Sequence, residues 1–250
     1  MRNRPDMHDP RAHLLRHGPD APVLYFSPAR LQATAREFLQ GFPGLVTYAV
    51  KANPGEEVLA NLVRAGIDAF DVASPEEMRA VRAVAPDAVL HYNNPVRSPA
   101  EVTVAAQMGV CSFSVDSLSE LHKLRGKVSQ NSEISVRLAL PVAGAAYHFG
   151  EKFGVAPGPA ADLLRAVVAN GFAPSITFHP GTQCADPQAW GSYIAAAADV
   201  ARAAEVRLHR LNVGGGFAAH RTGAAPDLGA IFARIRTEVA QHFGAEAPQL

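Results

Sequence analysis

The strongest constraint on the fold is a regular alternation of short apolar runs with longer segments of helical period, which begins near residue 45. Such an alternation is typical of parallel strands that are connected by helices. Seven strands are predicted, at 45–52, 68–73, 88–92, 111–116, 133–140, 174–180 and 210–215. Helices are predicted after them, at 55–65, 75–84, 98–107, 117–125, 158–170, 187–204 and 227–243.

These repeated units predict an α/β fold, a (β/α)₈ barrel of the TIM type, because no linker divides them. Seven of the eight strands are present, and a barrel that lacks a strand has two unpaired edges. The last predicted helix ends near Phe243, and an eighth strand would begin at the final residues "AEAPQL". We therefore expect the front part of a longer protein, truncated before the eighth strand.

The predicted domains are a polar extension at 1–21 and the barrel domain at 22–250. An additional strand is predicted at 22–27, "PVLYFS", before a helix with the sequence "PARLQATAREFLQ". This strand has no place in the barrel. We assign it to a second domain whose remainder is absent.

The charges and cysteines narrow the class of protein. The 23 basic and 23 acidic residues cancel, and no basic block is present, so a nucleic acid is not an expected partner. No stretch reaches the roughly 18 uninterrupted apolar residues of a membrane span. With Cys111 and Cys184 as the only cysteines, a disulfide framework is not expected, and we predict a cytoplasmic protein.

Polar and ionisable residues follow the predicted strands, and in barrels of this type the chemistry lies at the carboxyl ends of the strands. They are Lys51, Asp71, Ser74, His91, Asn93, Asn94, Asp116, Arg137, His179, Thr182, Gly214, Gly215 and Gly216.

Lys51 ends the apolar stretch "YAVKANP" in a chain that has many more arginines than lysines. A lysine required for covalent chemistry cannot be replaced by arginine, because only the amine loses its proton and condenses with an aldehyde. A lysine that extends from a strand end into solvent is the alternative interpretation.

The stretch "LNVGGGF" places Gly214, Gly215 and Gly216 after the seventh strand, where barrels commonly bind phosphate. A tight turn is the alternative. In "FHPGTQ", His179 and Thr182 suggest a contact to a ring or carbonyl and a second phosphate ligand. Pyridoxal 5'-phosphate combines an aldehyde that reacts with lysine and a phosphate, so this cofactor is predicted. No spacing of ligands predicts a metal site.

Several motifs together resemble the alanine-racemase-like, fold-type III pyridoxal phosphate enzymes, within these the ornithine, lysine and diaminopimelate decarboxylase group. They are "YAVKANP", "FDVASPEEM", "HYNNPVRS", "SVDSLSEL", "EKFG", "FHPGTQ" and "NVGGGF". The resemblance covers residues 22–250 and is closer to the ornithine branch.

The resemblance implies a role for each matching residue. Lys51 is the lysine that binds the cofactor, and His179 stacks on the cofactor ring. Asp71 and Glu77 lie near the lysine, and Arg137 approaches the phenolic side of the ring. Thr182 and the glycines 214–216 contact phosphate, with threonine in place of the usual serine. The alternatives are structural: a helix cap for Asp71, a solvated acid for Glu77 and an ion pair for Arg137.

The resemblance also implies an activity, decarboxylation of ornithine or lysine to a diamine in polyamine biosynthesis by a homodimer. The family's Glu-Pro-Gly-Arg strand and carboxyl-terminal β-domain are not in the sequence. Alternatives that stay open are a diaminopimelate or carboxynorspermidine decarboxylase, an amino-acid racemase, and an inactive truncated homologue that binds a decarboxylase subunit.

Overall fold

A single sheet of seven parallel strands forms the centre of the protein, in the order in which the strands occur in the chain. We describe a computed structural model that covers residues 9–141, 153–220 and 226–250. The strands are β1 (Tyr48–Ala49), β2 (Ala69–Val72), β3 (Val89–Tyr92), β4 (Ser112–Val115), β5 (Glu133–Arg137), β6 (Ala173–Thr177) and β7 (Arg210–Asn212). The predicted parallel sheet of seven strands is confirmed.

Helices precede and follow the strands along the chain. They are α1 (Pro10–His17), α2 (Pro28–Gly41), α3 (Glu56–Ala65), α4 (Pro75–Val84), α5 (Pro99–Gln107), α6 (Leu118–Leu124), α7 (Pro157–Ala169), α8 (Pro187–Ala204) and α9 (Leu228–Phe243). Within the described ranges, no helix has both the length and the apolar character needed to cross a membrane.

Several helices begin where a short polar side chain satisfies a free backbone N–H. Ser74 Oγ accepts the N–H of Glu77 at the start of α4. Ser98 caps α5 in a reciprocal capping box with Glu101. The loops between strand and helix are therefore held in place on the side of the sheet where the strands end.

The two faces of the sheet have different chemistry. One set of alternating residues is apolar and fully buried against the helices, and includes Phe70, Leu90, Phe113, Ile134 and Leu211. The other set is small or polar, and the strand register aligns its members: Ser112 pairs with Glu133, Ser114 with Ser135, Ser175 with Arg210 and Thr177 with Asn212. TIM barrels usually fill this interior with branched apolar side chains. Here it is lined by hydroxyls and charges.

An ion pair closes the base of this interior. Arg210 Nε lies 3.1 Å from Glu133 Oε2, and the Glu133 carboxylate is buried. His91 lies beside this pair, and its Nε2 has no hydrogen-bond partner among the described residues. Burial lowers the pKa of His91. His91 was expected at a strand end and instead lies inside the barrel.

The final residues lie between the two edges of the sheet. Gln249 pairs in parallel with Arg210, and the Leu250 carbonyl accepts the N–H of Leu45 at 2.8 Å. These contacts occur where a strand between β7 and β1 was predicted to begin.

Two strand predictions, at 22–27 and at 45–52, are wrong or too long. Residues 22–27 form no strand, because an isolated extended segment has no neighbour to pair with, and Leu24 is 97% exposed. The strand predicted at 45–52 is only Tyr48–Ala49, and a 3₁₀ turn at Val50–Ala52 follows it.

Helix α1 lies within the predicted polar extension, and the division into two domains stays a prediction. Residues 151 and 152 of the motif "EKFG" lie outside the described residues.

Candidate active site

A cavity of about 480 Å³ opens at the carboxyl ends of the strands. It is lined by residues from six of the strands or the loops that follow them: Thr47, Ala49, Lys51, Asp71, Val72, Ala73, Asn93, Asn94, Arg137, Phe153, Thr177, Phe178, His179, Asn212, Gly214 and Gly215. Nine residues were given a role by the family resemblance, and six of them line this cavity: Lys51, Asp71, Arg137, His179, Gly214 and Gly215. A polar cavity in this position is the site of a barrel enzyme domain.

Lys51 lies on the 3₁₀ turn, and its side chain is exposed to the cavity instead of buried at a strand end. The turn is held by the N–H of Asn53, which donates to the Val50 carbonyl at 3.1 Å. The Asn53 side chain in turn accepts the N–H of Gly55 at 3.0 Å. This local network ends β1 early and leaves the Lys51 amine accessible to a ligand.

Asp71 lies on β2 and is half-buried beside this lysine. Burial raises the pKa of Asp71 to about 6. The positive charge of Lys51 and the nearby amides of Asn93 oppose this shift, whereas the Glu77 carboxylate adds to it. Asp71 is therefore ionised at neutral pH by a small margin.

Glu77 does not line the cavity, although it was predicted in the site. Its carboxylate accepts the backbone N–H of Ala73 at 2.7 Å, and Ala73 is a cavity residue. Glu77 is half-buried, so the alternative of a solvated acid is wrong. It fixes the loop between β2 and α4.

Arg137 ends β5 and extends into the cavity, with its guanidinium 5.5 Å from the centre of the Phe153 ring. Burial lowers the pKa of Arg137, and the carboxylates of Asp71 and Asp116 oppose this shift. The guanidinium donates no hydrogen bond to any described residue, so its donors can serve a ligand.

His179 follows β6, and its ring has one defined tautomer. The N–H of Gly181 donates to His179 Nδ1 at 3.1 Å, so a neutral ring carries its proton on Nε2. Burial, together with the nearby charges of Arg137 and Lys51, lowers the pKa of His179 to about 4. The ring is thus uncharged at neutral pH, which suits contact with the face of an aromatic ligand.

The three glycines have different roles. At Gly214, with φ of +71°, an added Cβ would overlap the Phe178 carbonyl, and at Gly216, with φ of +84°, it would overlap the Gly181 carbonyl. Both are required for the close approach of two loops. At Gly215 the nearest atom to an added Cβ is His179 Nε2, at 3.7 Å. Within the described ranges, the N–H groups of Gly215 and Gly216 donate no hydrogen bond to the protein, which fits them for a phosphate.

Thr182 and Gly216 are not among the residues that line the cavity, although both were predicted to contact phosphate. Sequence reasoning missed Thr47, Thr177 and Asn212. The two-residue period of the strands could have identified Thr177 and Asn212, since both share the inner face with Arg137.

The sequence matches the family described as pyridoxal-dependent decarboxylase, pyridoxal binding domain, over residues 29–250. The chain belongs to this family, and the resemblance inferred from the motifs is confirmed. Relatives include the lysine/ornithine decarboxylase of Selenomonas ruminantium, 33% identical over 204 residues, which are 79% of this chain and 51% of that protein. The chloroplastic ornithine decarboxylase of Nicotiana glutinosa is 34% identical over 212 residues, 81% of this chain and 47% of that protein.

Solved structures agree with the fold. The lysine decarboxylase from Selenomonas ruminantium superimposes with a TM-score of 0.81 at 29% identity, over 96% of this chain and 64% of that one. The arginine decarboxylase of Paramecium bursaria Chlorella virus has a TM-score of 0.83 at 22% identity, over 96% and 65% of the two chains. The predicted barrel is confirmed, and the chain spans about half the length of the curated relatives it matches.

The predicted cofactor, pyridoxal 5'-phosphate, is that of the family. The residues present fit it. An accessible lysine amine, a neutral imidazole and an arginine share one cavity with Gly215, whose N–H has no acceptor among the described residues, whereas the neighbouring Gly214 N–H donates to Asn212 Oδ1 at 2.9 Å.

Proposed function

We propose that this chain is the cofactor-binding part of a pyridoxal phosphate-dependent decarboxylase of a basic amino acid. The observation that carries the proposal is the presence of Lys51, His179 and the glycine loop on the wall of one cavity. A reactive amine and a phosphate seat within one cavity match the two ends of the cofactor.

Each residue has a role in this proposal. The cofactor, when bound, supplies an aldehyde that condenses with an amine and a ring that withdraws electrons from the bond that breaks. Lys51 supplies the amine that anchors it. The Asp71 carboxylate stabilises positive charge beside Lys51, and the uncharged His179 ring packs against an aromatic face. Arg137 donates hydrogen bonds to an anionic oxygen, and the N–H group of Gly215, which lines the cavity, binds the phosphate.

Ornithine or lysine is the proposed substrate, and a diamine the product, with a role in polyamine biosynthesis. The names of the relatives support this choice, since they are ornithine and lysine/ornithine decarboxylases. A lysine decarboxylase structure with 28% identity holds PLP and cadaverine. We propose a cytoplasmic homodimer for the whole protein.

The cofactor assignment is tested by the absorbance of the chain after addition of pyridoxal phosphate. Lys51→Ala is expected to abolish the absorbance of the lysine-bound cofactor, and Lys51→Arg to do the same, because arginine retains the charge without a reactive amine. Lys127→Ala is the matched control, since Lys127 is exposed and its amine contacts the Pro99 carbonyl, outside the cavity. An unchanged spectrum in Lys51→Ala would contradict the assignment.

The activity is tested on the whole protein by product analysis with ornithine, lysine, arginine and diaminopimelate. Release of carbon dioxide and a diamine from ornithine or lysine is the expected result. Inversion of the substrate without loss of carbon dioxide would identify a racemase. Cofactor binding with no turnover, together with assembly onto an active decarboxylase subunit, would identify an inactive homologue.

A further inference from the structure

We propose that Asn93 is a positioning residue that holds the Asp71 carboxylate toward Lys51, and that Ser114 orients the Asn93 carboxamide for this contact. The proposal rests on the proposed function, because it gives Asp71 its role beside the cofactor lysine. It adds two residues, Asn93 and Ser114, that act through another side chain.

The placement of Asn93 follows from the strand register. Asp71 of β2 pairs with His91 of β3, so Asn93 lies one inward-facing position beyond that pair, where β3 ends. Asn93 lines the same cavity as Lys51 and Asp71 and is half-buried. The side-chain and backbone amides of Asn93 are close enough to the Asp71 carboxyl to favour its ionised form.

Ser114 determines which way the Asn93 carboxamide faces. Ser114 Oγ lies 2.7 Å from Asn93 Oδ1, and Ser114 is completely buried on β4. An ionised carboxylate only accepts hydrogen bonds, so the amide nitrogen must face Asp71 and the amide oxygen must face the serine hydroxyl. The hydroxyl and the carboxylate therefore select the same orientation of the amide.

The charges around Asp71 explain why this contact matters. Lys51 follows β1 and Arg137 ends β5, and both favour the ionised carboxylate, whereas Glu77 of α4 and burial oppose it. His179 lies near both cations but is neutral at pH 7, because its pKa is about 4. With the pKa of Asp71 at about 6, loss of the Asn93 amide would leave a large fraction of this carboxyl protonated at neutral pH.

The first experiment is a titration of the 250-residue chain without cofactor, by carboxyl carbon NMR, with Asp71→Asn used to assign the resonance. Asn93→Ala is expected to raise the pKa of Asp71 by about one pH unit, since one charge-assisted hydrogen bond is lost. Asn93→Asp adds a second carboxylate and is expected to raise it further. Asn94→Ala is the matched control, because it removes a carboxamide from the same cavity wall.

A shift in Asn93→Ala that Asn94→Ala does not reproduce supports the proposal, and an unchanged pKa in Asn93→Ala overturns it. If Asn93→Ala does not fold, Ser114→Ala decides: a smaller shift in the same direction supports the proposal, and no shift overturns it. A second readout is the pH dependence of pyridoxal phosphate affinity, whose acid limb is expected to move to higher pH in Asn93→Ala. The NMR titration needs no cofactor, so failure of this proposal is distinguishable from failure of the Lys51→Ala test.

Discussion

Replacing each glycine of the 214–216 loop by alanine separates backbone packing from phosphate binding. At Gly214 and Gly216 the backbone is left-handed, which is unfavourable for alanine by about 1–2 kcal/mol. The overlap of the new methyl group with the Phe178 or Gly181 carbonyl adds to this cost, so we expect a total of at least about 3 kcal/mol. For a domain of this size that loss lowers Tm by at least about 6 °C.

Gly215→Ala is expected to behave differently. Its backbone is not left-handed, and the nearest atom to the new methyl group is His179 Nε2, at 3.7 Å. The free energy of unfolding should change by less than about 1 kcal/mol. The methyl group would nevertheless enter the cavity beside the proposed phosphate seat. Alanine keeps the backbone N–H, but displacement of the phosphate by the methyl group, at a cost similar to one charge-assisted hydrogen bond, predicts a pyridoxal phosphate affinity about ten- to a hundredfold weaker.

The assays are thermal unfolding without cofactor and titration with pyridoxal phosphate followed by absorbance. The expected pattern is a normal Tm with weak binding for Gly215→Ala, and a low Tm for Gly214→Ala and Gly216→Ala. If Gly215→Ala binds the cofactor as tightly as the unaltered chain, the loop is a tight turn only and the phosphate seat lies elsewhere. If Gly214→Ala unfolds at the normal temperature, the steric argument is wrong.

Two further predictions concern buried charges. Asp71→Asn removes a carboxylate whose pKa is raised to about 6, so it should stabilise the chain by up to about 3 kcal/mol at pH 7.5. Near pH 4, where Asp71 is protonated, the substitution should have little effect on the free energy of unfolding. Urea unfolding at the two pH values measures this difference, and an equal effect at both would contradict the prediction. Arg210→Met leaves the buried Glu133 carboxylate without its arginine partner and should cost about 3–5 kcal/mol. Adding Glu133→Gln should restore part of that loss in urea unfolding, and no recovery would show that Arg210 acts through packing alone.

The order of the helices and strands could be predicted from the sequence, because it depends on residues that are neighbours in the chain. Apolar runs of period two and helices with serine caps, such as those at Ser74 and Ser98, are properties of neighbouring residues. Parallel strands in chain order then place Lys51 and the glycine loop at one end of the barrel. The motifs around these residues were sufficient to predict the family and its cofactor.

The ionisation and orientation of the site residues required the tertiary structure, because they depend on groups far apart in the chain. The pKa of Asp71 reflects burial together with Lys51, Glu77 and Asn93, which lie on different elements. The neutral state of His179 likewise reflects burial and the charges of Arg137 and Lys51, which lie on other elements.

Pairing and exposure were likewise decided by tertiary contacts. Residues 22–27 have a strand-like sequence but form no strand, because pairing needs a neighbour that the described residues do not supply. The turn at Val50–Ala52 is local, but the cavity that Lys51 faces is formed by residues from six strands and the loops that follow them. The order of residues along the chain specifies which reactive groups are present and at which end of the barrel they lie. The packing of the strands and loops decided which of those groups share a cavity and which are charged there.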